Sequence, residues 1–146
     1  PRLYSTQLYW TRPPVNEDQA RLQRQHKARF HYDVGDFKAL SVFFYLTDVA
    51  DDCGPHMLIP GTQRTKLWRQ MFTRYLSDEQ ALRQYGGRIV TITGQRGSGF
   101  FENLSCYHKH AFGSRERLML CLTYDLQRKP PGPTFETVAG TGLIFH

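Results

Sequence analysis

No apolar run in the chain approaches the eighteen or so residues that a membrane-spanning helix needs, so no membrane span is expected. Cysteine is scarce: Cys53, Cys106 and Cys121 are odd in number and have no C-x-x-C spacing. That argues against a disulfide framework and against a zinc ribbon. There is no internal repeat, no low-complexity tract and no recognised nucleic-acid recognition motif. A secretory signal is also missing from the stretch that follows Pro1, which makes a reducing cytoplasm the default expectation.

What is present fits one globular domain over residues 1–146, with 40% hydrophobic and 14% aromatic residues. The formal net charge is +6. Acidic residues interrupt the basic ones, as where Arg21, Arg24, Lys27 and Arg29 follow Glu17 and Asp18. Solvated helix faces account for such a pattern, so nucleic acid is not an expected partner, while an anionic small molecule is compatible with it.

Along the chain, Leu3–Trp10 reads as a strand ended by Pro13-Pro14, and Asn16 with Gln19 as a capping box opening a short helix. Strands follow at Arg29–Asp33, Ala39–Leu46 and Met57–Ile59, separated by turn chemistry at Asp51-Asp52-Cys53-Gly54-Pro55 and Pro60-Gly61. Leu67, Met71, Tyr75 and Leu76 then fall at helical spacing, and Ser77 with Gln80 forms a second capping box before Gly86-Gly87. A helical insertion around residues 64–86 is the expectation. Arg88–Thr93 reads as a strand, Gly94–Gly99 as a hairpin turn, Arg117–Leu126 as a long apolar strand and Thr141–Phe145 as a weak one. Short strands with Gly/Pro turns and one helical insertion describe a mainly β, antiparallel jelly roll, whose mouth is a natural ligand site.

The chemistry concentrates in two stretches. In FHYDVGDFKALSVFFYLTDVADDCGPHMLIPGTQ, His31 and Asp33 stand at i and i+2, so an extended strand projects imidazole and carboxylate from one face. GQRGSGFFENLSCYHKHAFGSRERLMLCLTYDL supplies His108 before an apolar run and Arg117 at its start. Two His and one carboxylate form the facial triad that suits non-haem Fe(II) and leaves positions open. His110 is a rival third ligand, and Cys106, His108 and His110 alternate in a way that would also suit zinc. The Gly-rich turn GQRGSG lacks the features of a phosphate cradle. His26 and His56 have no companions and read as structural or exposed, while Trp10 and Trp68 could line a substrate pocket, although aromatic residues are more often core.

Residues 30–126, with His-x-Asp, Leu-Thr-Asp…Gly-Pro…Pro-Gly-Thr and the late His-Lys…Arg, resemble the phytanoyl-CoA dioxygenase family of Fe(II)/2-oxoglutarate oxygenases. The resemblance implies a double-stranded β-helix (jelly roll, cupin-like), with Fe(II), 2-oxoglutarate as cosubstrate and O2. It implies His31, Asp33 and His108 as iron ligands and Arg117 as the clamp on the distal carboxylate of 2-oxoglutarate. Ser41 in ALS would place a hydroxyl on the cosubstrate, and Gln7 in TQLYW would contact cosubstrate or substrate. The implied activity is hydroxylation of a small-molecule or lipid-like substrate, with succinate and CO2 as co-products; retention of Asp33 favours hydroxylation over halogenation. The alternative is a non-catalytic jelly-roll protein that binds a metal or ligand. Relatives carry Pro-Gly-Ser-His where this chain has Pro60-Gly61-Thr62-Gln63, and a longer region before the first ligand, so part of the usual N-terminal region is expected to be lacking.

Overall fold

Alternation along short strands builds the protein. A computed structural model describes residues 2–18, 20–21, 29–34, 39–66, 72–125, 135–138 and 142–145. A four-stranded antiparallel sheet has the order β1-β9-β3-β7, formed by β1 (Arg2–Thr11), β9 (Arg117–Asp125), β3 (Leu40–Tyr45) and β7 (Gly99–Glu102). A five-stranded sheet has the order β5-β2-β8-β4-β6, formed by β5 (Tyr75–Leu76), β2 (Phe30–His31), β8 (Tyr107–His110), β4 (His56–Ile59) and β6 (Val90–Ile92). All their pairings are antiparallel. A separate ribbon pairs β10 (Phe135–Val138) with β11 (Gly142–Phe145), and β11 lies against β1. This is the jelly-roll architecture expected from the sequence.

The register explains which side chains face where. In the five-stranded sheet Phe30, Ile59 and Tyr107 point to one face, where Leu76 and Ala81 complete a buried apolar cluster. Helix α2 (Asp78–Tyr85) supplies Ala81 to this cluster, and its start is fixed by the capping box of Ser77 and Gln80. Lys109 shares the Tyr107 face and reaches Asp78 in the first turn of the helix at 2.6 Å. The intervening residues His31, His56, His108 and His110 therefore project between the two sheets. They meet Phe43, Tyr45, Met119 and Cys121 of the four-stranded sheet, with Phe100 packed against these and stacked on Phe43. A one-residue slip of β8 would exchange the two sets, so the apolar face pins the orientation of both histidines.

Three expectations need correction. The helical insertion is divided: α1 (Thr62–Thr65) and α2 are helical, but Tyr75 and Leu76, counted into the helical stripe, form β5 and pair with His31 and Phe30. Their apolar spacing satisfies a helix and a two-residue strand equally, and the sheet edge decides. The turn at Gly94–Gly99 is not a hairpin, because β6 pairs with β4 and β7 with β3, so it carries the chain from one sheet to the other. The tail holds two strands rather than one, since β10 precedes β11. Gln19, Leu22, Arg24, His26, Leu67, Trp68, Met71 and Pro130–Pro133 lie outside the described residues.

Cys53 and Gly113 form an isolated bridge, and there the two backbones approach closely. A Cβ on Gly113 would stand 2.6 Å from the Asp52 carbonyl oxygen and overlap the backbone of Cys53 and Gly54. Gly113→Ala is expected to lower stability by about 1–3 kcal/mol. A fall in the urea midpoint with unchanged slope checks this, and an unchanged midpoint would mean that the loop moves aside.

Candidate functional site

His31 and His108 are direct cross-strand partners of β2 and β8, with ring centroids 4.6 Å apart. Asp33, two residues beyond His31, brings Oδ1 to 4.0 Å from His31 Nε2. One donor atom from each of His31, Asp33 and His108 lies within 4.8 Å of the others, the spread that a single ion can gather. The side chains of His31 and Asp33 are 26% and 44% exposed, that of His108 only 6%, so the cluster opens to solvent on the Asp33 side and is backed by protein on the other.

The rings are oriented for ligation. His31 Nδ1 is 3.2 Å from the Arg29 carbonyl oxygen and His108 Nδ1 is 3.0 Å from that of Cys106. Only a protonated Nδ1 donates to a carbonyl, which leaves the Nε2 lone pair of each ring for a metal. Burial holds the His108 pKa below its ordinary value, so the ring is neutral as a ligand must be. The donor set thus fits a divalent transition metal of the non-haem iron type. At the open side the half-exposed Arg74 lies 3.6 Å from Asp33 Oδ1 and donates from Nε to the Tyr32 carbonyl.

His110 lies outside this cluster. Its Nδ1 accepts from the Arg117 guanidinium at 3.1 Å and stands 3.4 Å from His56 Nδ1. Cys106 is turned to the Gln63 side-chain oxygen at 2.9 Å. The alternating Cys106, His108 and His110 therefore do not converge on one point.

Arg117 starts β9 opposite Thr11 and is fully buried. Its guanidinium donates to the Gly54 carbonyl, to Thr11 Oγ1 at 3.2 Å and to His110, while Nε has no partner. No carboxylate among the described residues pairs with it. Burial lowers its pKa, yet a guanidinium stays charged at any working pH. A buried cation without a counter-ion is costly unless an anion arrives.

Ser41 faces inward, 3.0 Å from Thr123 Oγ1 and paired with both Thr123 and Glu102 across the sheet. Thr123 is six residues along β9 from Arg117, about 20 Å at the rise of a strand, so Ser41 and Arg117 do not grip one carboxylate. Ser41 belongs to the end of the barrel where Glu102 meets His108. Gln7 also faces inward and accepts a hydrogen bond from Tyr9.

Two residues escaped the sequence reading. Glu102 is fully buried, with Oε2 2.6 Å from His56 Nε2 and Oε1 3.4 Å from His108 Nδ1. Its signal was phase: it alternates with Phe100 on the inner face of β7. His56, read as having no companions, is instead central, packed by Phe43, Phe100, His108 and His110. Burial raises the Glu102 pKa to about 7 and lowers that of His56 to about 3.

No family model matches the chain, and no curated protein matches it in sequence. Solved structures do match. EctD from S. alaskensis, determined with 2-oxoglutarate and 5-hydroxyectoine, superimposes with a TM-score of 0.54 and 20% identity, covering 84% of this chain and 43% of that one. The non-heme alpha ketoglutarate dependent epimerase SnoN from nogalamycin biosynthesis gives 0.52 and 15%, over 84% and 46%. AviO1 from Streptomyces viridochromogenes Tue57 gives 0.51 and 13%, over 88% and 52%. EctD has also been solved with bound Fe, matching at 0.52 and 18% identity. The chain has the fold of these proteins. It spans about half of their length or less. Among the described residues no helix is long and apolar enough to cross a membrane.

The buried pair makes stability depend on pH. Unfolded, His56 takes up a proton near 6.5, but folded only near 3, so in this window the unfolded state binds more protons and stability falls with falling pH. Glu102 acts oppositely between 4.5 and 7, where the folded carboxyl keeps a proton that the unfolded chain releases. Below 4.5 only the His56 effect remains of the two. His56→Gln, which takes up no proton, is expected to flatten the acid limb between pH 4.5 and 3 in urea midpoints of the metal-free protein. An unchanged limb would mean that folded His56 is already protonated.

Proposed function

We propose that the chain is the catalytic core of an Fe(II)- and 2-oxoglutarate-dependent oxygenase of the phytanoyl-CoA dioxygenase type. It would hydroxylate a small-molecule or lipid-like substrate and release succinate and CO2. The observation that carries this reading is a fully buried Arg117 without a counter-ion among the described residues, in the same barrel as a His31, Asp33 and His108 cluster able to hold one ion. The fold shared with EctD and SnoN supports it.

In this reading His31 Nε2, Asp33 Oδ1 and His108 Nε2 would hold iron, which would supply the redox chemistry with the 2-oxo acid and O2. The protein's share is placement. His108 and His110 are about 7 Å apart on one face of β8, and the Arg117 guanidinium touches His110, a separation matched to a five-carbon dicarboxylate. Arg117 neutralises the distal carboxylate and offers its unused Nε–H, and Thr11 and His110 hold the guanidinium in place. Asp33 on the open side faces incoming substrate, with Arg74 beside it as a cation suited to an anionic group.

The test is anaerobic addition of Fe(II) and 2-oxoglutarate to the folded protein. A visible charge-transfer band is expected. His108→Ala abolishes it, His110→Ala leaves the metal bound, and Arg117→Lys, which loses the planar fork, requires about 10–100-fold more 2-oxoglutarate. No band from a folded protein that retains metal sinks the oxygenase reading and leaves a metal-binding jelly roll without turnover.

A further inference from the structure

Glu102 has no role in the proposed chemistry, yet it is the most deeply enclosed carboxyl group among the described residues, with none of its side chain exposed. Both of its oxygens are buried and neither has a well-directed hydrogen bond, although His56 Nε2 lies only 2.6 Å away. Among the described residues, the basic groups within 4 Å are two imidazoles, His56 on one side and His108 on the other. Such a group costs several kcal/mol to bury unless both oxygens are satisfied.

We propose that Glu102 is a positioning residue of the metal centre, holding the His108 ring through its outer nitrogen while His56 anchors the carboxyl group from the opposite side. This rests on the reading of His108 as a metal ligand. Arg117 donates to His110 Nδ1, which makes that atom an acceptor, and His56 Nδ1 stands 3.4 Å from it. With its hydrogen on Nδ1, His56 presents the Nε2 lone pair to Glu102, whose carboxyl O–H at Oε2 donates to it across 2.6 Å. Oε1 is then free to accept from His108 Nδ1–H, which it shares with the Cys106 carbonyl at 3.0 Å.

A dication on Nε2 makes the opposite N–H of an imidazole a stronger donor, so the orphaned Oε1 gains its partner when the site is loaded. Metal-ligating histidines usually have such a carboxyl or carbonyl partner, and its loss costs about 10–100-fold in metal affinity. The Cys106 carbonyl alone would set the tautomer. Glu102 adds a second, side-chain hold on the ring and closes the side of His108 that faces the four-stranded sheet.

The experiment is titration of the metal-free protein with Co(II), followed by its visible d–d absorption, in wild type, His108→Ala, Glu102→Leu, Glu102→Gln and Glu102→Asp, with urea midpoints for each. Wild type is expected to bind and His108→Ala to lose binding, which tests the ligand assignment by itself. Glu102→Leu, which removes the acceptor at similar size, is expected to bind about 10–100-fold more weakly with an altered d–d spectrum while its urea midpoint shows that it is folded. Glu102→Gln, whose NH2 group donates to His56 Nε2 while its oxygen accepts from His108 Nδ1–H, is expected to keep wild-type affinity and spectrum. Glu102→Asp, which keeps the carboxyl but draws it back by one methylene, is expected to lie between them. Wild-type affinity and spectrum in a folded Glu102→Leu protein overturn the proposal while leaving the ligand assignment intact. Should Glu102→Leu not fold, unchanged affinity in Glu102→Asp overturns it. Binding that survives His108→Ala overturns both.

Discussion

One guanidinium joins the two sheets. Arg117 begins β9, one of the two inner strands of the four-stranded sheet, and reaches the Gly54 carbonyl before β4, the Thr11 hydroxyl at the end of β1 and the His110 ring on β8. Three separate segments are thus referred to a single planar group whose five donors have fixed directions. Because the group is buried, these contacts are exchanged for water on unfolding rather than merely loosened. The inner row of imidazoles is set by this junction at one end and by the β2 and β8 pairing of His31 with His108 at the other.

Between those ends lies a polar interior of an unusual kind. His110, His56, Glu102 and His108 follow one another at contact distances of 2.6–3.4 Å, surrounded by Phe43, Phe100, Tyr45 and Met119. A low-dielectric surround strengthens each of these contacts and makes each unpaired atom expensive. A second apolar cluster lies on the outer face of the five-stranded sheet under α2, where Phe30, Ile59, Leu76 and Tyr107 are buried together.

Much of this was legible in the sequence, for reasons that differ by element. The strands around Leu40–Tyr45, His56–Ile59 and Arg117–Asp125 follow from β-branched and aromatic runs bounded by turns. The Ser77 and Gln80 box gave the start of α2. The convergence of His31 and Asp33 followed from period two alone, but that of His108 needed a strand pairing across 77 positions, which no local pattern carries. For the same reason β5 was hidden inside a helical stripe, and the crossing at Gly94–Gly99 resembled a hairpin. His56 was passed over because a lone imidazole has no local signature, and Glu102 because its phase with Phe100 says that it faces inward but not what it meets. Their meaning lies in which strand each one faces.

The pairing of β1 with β9 has a consequence for how the protein comes into being. Thr11 and Arg117 are neighbours in the sheet yet 106 positions apart in the chain, and β3 cannot be flanked on its β9 side until residues 117–125 have been made. Contacts of such long range are costly to close and form late. The Arg117 end of the barrel therefore forms only after residues 117–125 have been made. Until then its imidazoles and its buried carboxyl group stand in water, where they are soluble, separate and chemically ordinary.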